Sequence, residues 1–243
     1  SIHDDDFSPA WELSAAAGNQ WEEAVEETID ALSNFFEDDL PEEFDSFAAY
    51  QARSLRDIYL DAISDGGTDR SNVVTASTGG GKTEAFLFPT LAYALTANKA
   101  GIEGNKAVLT YPRRDLCNNQ FERAFSYITD LNKRLGELEA SFDSAPLTLS
   151  IQHGGRGDVT LPCPYCDGEL SPAEGYQNTH FVCSESERHE IRYASTAREK
   201  AADLIITTQS SLHRRLMDHY GNDALWEQSY PTKFLVLDEV HIY

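Results

Sequence analysis

One stretch of the sequence contains residue types and a spacing that suit the binding of phosphate groups. Thr75–Phe86 (TASTGGGKTEAF) follows the apolar run VVTA and opens a run of helix-forming residues. Glycines just before a helix let backbone N–H groups close around a phosphate, and the positive end of the helix dipole favours the negative charge. Such loops begin with Gly, whereas Ala76 stands here. We predict a phosphate-binding loop formed by Thr78, Gly79, Gly80, Gly81, Lys82 and Thr83.

The roles of the last two loop residues follow from their chemistry. Lys82 reaches the β- and γ-phosphates of a bound nucleotide, and the hydroxyl of Thr83 binds Mg²⁺. A second stretch, FLVLDEVHIY (Phe234–Tyr243), supplies acidic partners at the end of an apolar strand. Asp238 is predicted to hold Mg²⁺ through its water shell, and Glu239 to orient and deprotonate an attacking water. The catalytic residues are therefore expected to be Lys82, Asp238 and Glu239.

A polar insertion contains a second kind of chemistry. Cys163 and Cys166 have the spacing of a metal-binding knuckle, and Cys183 and His189 complete a tetrahedral set for Zn²⁺. His180 is the competing fourth ligand. An iron–sulfur cluster is an alternative that needs four thiolates, and unliganded thiols are a second alternative. Cys117 lies in a predicted helix outside the insertion, where it is expected to be a buried apolar residue.

Basic residues follow several of the predicted strands and could contact phosphates of a nucleic acid. Contacts of this kind carry no sequence information, so they do not distinguish DNA from RNA. The candidates are Arg113, Arg114, Arg156, Arg214 and Arg215.

Alternating strands and helices must position these residues. The apolar strands VVTA, AVLTYP, LTLSIQ, LIITT and FLVLD are separated by helical stretches or by the cysteine-containing insertion. This order predicts an α/β fold with a parallel sheet flanked by helices, and ligands bind such sheets at the carboxyl ends of the strands. Upstream, Trp21–Phe36 has the apolar spacing of an amphipathic helix, packed on the following domain or on a partner, and Phe47–Ile63 predicts a second helix.

Composition limits the function further. Residues 1–50 contain 15 acidic residues and no Lys or Arg, within a chain of 243 residues and net charge -22. We interpret this either as an acidic docking arm for a protein partner or as the surface of a salt-adapted protein. The sequence has no apolar run long enough to span a membrane and no signal peptide. Paired free cysteines suit a reducing compartment, so a cytoplasmic location is expected.

Several motifs together resemble superfamily-2 DExH-box helicases and translocases. ASTGGGKT and DEVH resemble their motifs I and II, YPRRDLCNNQ (Tyr111–Gln120) resembles motif Ia, and ADLIITTQSSLHRRL resembles motif Ib. The resemblance implies a RecA-like lobe that binds ATP and Mg²⁺ and contacts nucleic acid. It further implies that Gln51 reads adenine and that Arg114 and Thr208 contact phosphates. Arg113 and Asp115 depart from the usual motif Ia, and Gln209 departs from motif Ib.

The motif sequences TGGGKTEAF, YPRR and DEVHIY are similar to those of one helicase subgroup. This subgroup contains DNA-repair helicases with a metal-binding domain and the helicase of the DISARM phage-defence system. DNA is therefore the expected nucleic acid. The resemblance covers residues 45–243 and stops after motif II, so the second RecA-like lobe and its arginine finger are expected elsewhere, and this chain alone is expected to hydrolyse ATP slowly.

The predicted organisation has three parts. Residues 1–45 form an acidic helical extension, residues 46–243 form the ATP-binding lobe, and residues 160–194 form a zinc-ribbon-like insertion that stands off the edge of the sheet. Two other functions remain open: a docking module that depends on ATP or zinc, with incidental hydrolysis, and an ATPase with a phosphate-binding loop that is unrelated to helicases.

Overall fold

The computed structural model describes the greater part of the chain. The described residues are 19–38, 49–64, 71–75, 81–153, 159–173, 180–197, 201–217 and 232–239. The predicted boundary between residues 45 and 46 lies outside them, as do four predicted site residues: Thr78, Gly79, Gly80 and Arg156.

The chain forms two compact units, Ser1–Ile102 and Glu103–Tyr243. The described residues of the first unit contain three helices: α1 (Asn19–Asp38), α2 (Ala49–Ile63) and α3 (Lys82–Lys99). Throughout the described part of the chain, no helix has both the length and the apolar character that a membrane crossing requires.

Helix α3 is the centre of the first unit and packs against both α1 and α2. Its residues are buried almost all round, which agrees with an apolar helix that has neighbours on several sides. A buried hydrogen-bond chain joins the three helices, because the hydroxyl of Thr96 lies 2.8 Å from that of Tyr59 and donates to that of Thr28 at 3.0 Å. Phe36 meets Phe88 edge to face, with ring centroids 5.1 Å apart. The predicted amphipathic helix therefore packs within the chain.

The strand predicted at VVTA is not formed in the described residues 71–75. Val73 is 85% exposed there. A strand is stabilised by hydrogen bonds to a neighbouring strand, and the described residues of this unit form helices only. The apolar run did not predict a strand correctly in residues 71–75, because the described residues of this unit offer no strand with which it could pair.

The second unit contains a five-stranded sheet in the order β7-β2-β8-β1-β9, in which every pairing is parallel. Helix α4 packs against β1, β2 and β8, and α5 packs against β1 and β8. The predicted parallel sheet with flanking helices is confirmed. The element bounds are β1 Ala107–Tyr111, α4 Arg114–Arg134, β2 Leu149–Ile151, β3 Leu161–Pro162, β4 Glu169–Pro172, β5 Phe181–Cys183, β6 Glu190–Ile191, β7 Ala194–Ser195, β8 Leu204–Thr208, α5 Gln209–Met217 and β9 Phe234–Leu237.

A buried polar network at the amino ends of the strands fixes their register. Lys106, just before β1, forms a 3.1 Å ion pair with Asp203, just before β8. The other carboxylate oxygen of Asp203 accepts hydrogen bonds from the backbone N–H and the hydroxyl of Thr148, at 2.8 and 2.7 Å. Because three strands start from one anchored cluster, their carboxyl ends line up at the opposite edge, with Tyr111 beside Thr208.

The insertion forms a separate antiparallel sheet in the order β3-β4-β5-β6. Leu161, Leu170, Phe181 and Ile191 form its buried apolar side. It packs on α4, where the rings of Phe121 and Phe181 lie 5.9 Å apart. The insertion was predicted to stand off the edge of the sheet, and in the structure its apolar side is covered by the helix.

Candidate functional site

The end of the predicted phosphate-binding loop is described from Gly81 onward. Gly81 is the N-cap of α3 and has left-handed backbone angles of φ 73 and ψ 36 degrees. Lys82 and Thr83 are the first two residues of the helix, and both are half-exposed. The unpaired N–H groups of a first helical turn favour an anion, so the structure puts the predicted phosphate and Mg²⁺ contacts at a suitable helix end.

Gln51 contacts this loop directly. Its side chain is buried, and its Nε2 donates to the carbonyl oxygen of Gly81 at 3.0 Å. A Cβ at Gly81 would lie 2.3 Å from that nitrogen. Gly81 is therefore required both for its positive φ and for the close approach of Gln51. The structure thus brings together Gln51 and the loop that the sequence analysis assigned to one nucleotide.

The acidic pair lies at the carboxyl edge of the sheet in the second unit. The backbone N–H of Asp238, directly after β9, donates to Thr110 on β1 at 3.1 Å. One carboxylate oxygen of Asp238 accepts the N–H of Glu239 at 2.9 Å. Glu239 has φ 54 degrees, the one positive φ of a non-glycine residue in the described segments. A residue whose backbone is held in this sparsely populated region is typical of functional sites.

Two of the predicted nucleic-acid contacts start helix α4 at the same edge. Arg113 is the N-cap residue, with extended backbone angles, and Arg114 is the first residue of the helix. Both side chains are exposed. Their charges are therefore accessible to a phosphate backbone.

Residues of the predicted motif Ib divide between surface and interior. Arg214 is exposed on α5, whereas Arg215 is buried and donates to Oε1 of Gln152. Thr208 is also buried, and its hydroxyl oxygen accepts the N–H of Ser211 at 3.2 Å, as an N-cap does. Both side chains are buried within the second unit, and their phosphate contacts stay a prediction.

One pair at this edge was not singled out from the sequence. His153, after β2, is buried, and its Nε2 lies 2.7 Å from Oδ1 of Asn118 on α4. The pair fixes the first turns of α4 beside the strand end. No local motif marks it, since the two residues are 35 positions apart.

The insertion brings three thiols and one imidazole together. The ligand atoms of Cys163, Cys166, Cys183 and His189 all lie within 4.8 Å of one another. Cys166 Sγ is 3.5 Å from Cys183 Sγ, and Cys163 Sγ is 3.8 Å from Nδ1 of His189. Ligands about 2.3 Å from a tetrahedral Zn²⁺ are separated by about 3.8 Å, so these four residues fit a structural zinc site. His180 instead pairs with Glu190, at 3.2 Å.

The backbone around the cluster allows the four candidate ligands to approach one another closely. A Cβ at Gly168 would lie 2.8 Å from Cys183 Sγ, so glycine is needed for the two turns to approach. Cys163 N–H donates to the Gly168 carbonyl at 3.0 Å, and Glu185 N–H donates to Cys183 Sγ at 3.4 Å. Bonds of this kind orient the ligands of a metal site.

The thiols also differ in acidity. Burial raises the pKa of Cys183, but hydrogen bonds from the Glu185 backbone and from the neighbouring ligands lower it to about 7. For Cys166 the Gly168 backbone hydrogen bond lowers the pKa, whereas burial and the neighbouring thiols raise it to about 11. The lowered pKa of Cys183 favours its thiolate, and a thiolate is the form that binds a metal.

Fold and site together define an α/β protein with a glycine-capped helix start that carries Lys82 and Thr83, and with acidic residues at the carboxyl edge of a parallel sheet. Residues 49–148, less than half of the chain, match the family model described as DEAD/DEAH box helicase. No curated protein and no solved structure matched the chain.

The match supports a RecA-like helicase lobe, and the parallel sheet with flanking helices fits that fold. It implies ATP-dependent helicase function in general, with ATP hydrolysis, use of Mg²⁺ and binding of nucleic acid. The matched range contains Gln51, Lys82 and Thr83 as well as Arg113 and Arg114.

Proposed function

We propose that this chain is the ATP-binding first lobe of a DExH-type helicase or translocase that acts on DNA and works with a second RecA-like lobe. The observation that carries the proposal is the contact of Gln51 with Gly81, at 3.0 Å, beside Lys82 and Thr83. A base-reading amide next to a phosphate-binding helix end suits a purine nucleoside triphosphate.

Each residue has a proposed role. Lys82 neutralises the β- and γ-phosphates, and Thr83 and Asp238 hold Mg²⁺. Glu239, two residues after β9, orients and deprotonates the attacking water. Among the arginines, we retain Arg113, Arg114 and Arg214 as phosphate contacts, because their side chains are exposed.

We further propose that the insertion binds one Zn²⁺ through Cys163, Cys166, Cys183 and His189. The support is the fit of their mutual distances to a tetrahedral site. Bound zinc would hold the short strands β3–β6 together, since small sheets of this size have little core of their own. Free thiols at such a site agree with a cytoplasmic location.

ATP hydrolysis with and without nucleic acid tests the helicase proposal. We expect single-stranded DNA to stimulate hydrolysis by the wild-type protein, and RNA to stimulate it less. Glu239→Gln should lower kcat by about 10²–10⁴-fold, because a general base contributes about that much. A different outcome is that nucleic acid does not stimulate ATP hydrolysis, while Lys82→Ala still abolishes that hydrolysis. The protein would then be an ATPase, and the helicase assignment would be contradicted.

A further inference from the structure

Helix α4 has a buried stripe that contacts the insertion. Phe121, Phe125 and Thr129 lie four residues apart and so share one face of the helix. Phe121 meets Phe181 of β5, with ring centroids 5.9 Å apart. Phe125 stacks on Tyr193 at 6.0 Å, and the hydroxyls of Thr129 and Tyr193 lie 2.8 Å apart. All four aromatic rings are at most 1% exposed.

The residues that make these contacts lie next to the candidate metal ligands. Phe181 and Cys183 both belong to β5 and are both buried. Tyr193 follows His189 by four residues, and the strand between them, β6, pairs with β5. The N–H of Cys183 also donates to the His189 carbonyl at 3.1 Å. An ion bound to Cys183 and His189 would therefore hold together the two segments that contact α4, which are β5 with Phe181 and the segment that contains Tyr193.

The N-terminus of α4 carries the exposed Arg113 and Arg114. Phe121 is two turns along the same helix from Arg114. The first turns are fixed to the sheet through Asn118 and His153, at 2.7 Å. A helix held on one side by the sheet and on the other by the insertion presents its first turn in one orientation.

We propose that the metal-bound insertion positions α4 for nucleic-acid binding, with Phe181 and Tyr193 as the positioning residues. This rests on the proposed function of Arg113 and Arg114 as phosphate contacts. The insertion itself touches no nucleic acid in this scheme. Metal occupancy changes affinity because it stabilises the orientation of the helix that carries the arginines, a coupling between two distinct sites.

Nucleic-acid affinity measured with and without metal tests the coupling. The probe is a fluorescein-labelled single-stranded DNA, followed by anisotropy at several salt concentrations. Removal of zinc with a chelator should weaken binding about 5- to 20-fold, within the usual range of such couplings, and added Zn²⁺ should restore it. The salt slope of binding should fall by about one to two, the effect of losing one or two phosphate contacts.

Three variants and a control separate positioning from metal binding. Phe121→Ala lies on the helix and outside the insertion, so it should keep one zinc per chain and still weaken DNA binding and lower the salt slope. Phe121→Leu should recover most of the affinity. Phe181→Ala should act in the same direction from the other side of the contact. His180→Ala, a residue of the insertion that is paired with Glu190, is the control and should change neither metal content nor binding.

Amide hydrogen exchange of α4 gives a readout independent of nucleic acid. We expect faster exchange in its first turns after zinc removal and in Phe121→Ala. Unchanged exchange and unchanged DNA affinity in the zinc-free protein would overturn the proposal. If wild-type protein binds no nucleic acid, the proposed function fails, and the exchange result alone decides whether the metal holds α4.

Discussion

Adding a methyl group at Gly81 perturbs the proposed nucleotide site at a single point. Gly81 and Gly136 have nearly the same backbone angle, φ 73 and φ 75 degrees. They differ in what a Cβ would meet: at Gly81 it lies 2.3 Å from Gln51 Nε2, whereas at Gly136 there is nothing within 4 Å. Gly136→Ala therefore controls for backbone strain, and Gly81→Ala adds the displacement of Gln51.

The magnitudes follow from these contacts. A left-handed alanine costs about 1–2 kcal/mol, and this applies to both variants. Gly81→Ala also breaks the bond from Gln51 to the Gly81 carbonyl, which contributes about 0.5–1.5 kcal/mol. If the amide of Gln51 also bonds the base, its displacement should weaken ATP binding by about tenfold, the equivalent of one hydrogen bond near 1.4 kcal/mol.

Urea denaturation and nucleotide competition measure the two effects. Anisotropy of a labelled ATP analogue, competed with ATP and with GTP in Mg²⁺, gives both affinity and base preference. We expect Gly136→Ala to bind as wild type, and Gly81→Ala to lose affinity for ATP and most of its preference over GTP. If Gly81→Ala keeps both affinity and preference, Gln51 does not read the base, and the reasoning fails.

The remaining predictions concern stability, metal and nucleic acid. Asp203→Ala should lower the free energy of unfolding by about 3–5 kcal/mol in urea titration, because it leaves Lys106 buried without its ion-pair partner; an effect below 1 kcal/mol would show that the pair does not anchor the strands. Cys183→Ser should abolish binding of one zinc per chain in elemental analysis, and iron with a visible chromophore in the wild type would refute the zinc assignment. Arg114→Ala should weaken DNA binding uniformly across sequences and lower the salt slope by about one, whereas an unchanged slope would remove this residue from the phosphate contacts.

The centre of the parallel sheet could be predicted from sequence because β1, β2 and β8 are buried on both faces. Such strands are continuous apolar runs, as in LIITT, all of whose residues are buried. The metal cluster was also predictable, since ligand type and spacing are local signals. The sequence already favoured His189 over His180, and in the structure His189 lies in the cluster while His180 pairs with Glu190.

The features that could not be predicted from the sequence depend on contacts between residues that are distant along the chain. Arg214 and Arg215 are neighbours of the same type, yet one is exposed and the other is buried against Gln152, 63 positions away. The packing of the insertion on α4 is a similar case. Phe121 and Phe181 are individually ordinary core residues, and only their contact shows that the insertion covers the helix.

Binding of ATP·Mg²⁺ by isothermal titration is the most direct test of the central claim that Lys82 and its loop form a nucleotide site. We predict Mg²⁺-dependent binding of one ATP per chain, lost in Lys82→Ala and retained in Glu239→Gln, because Lys82 contacts phosphate whereas Glu239 acts on water. Equal binding by wild type and Lys82→Ala, or equal loss in both variants, would contradict the account.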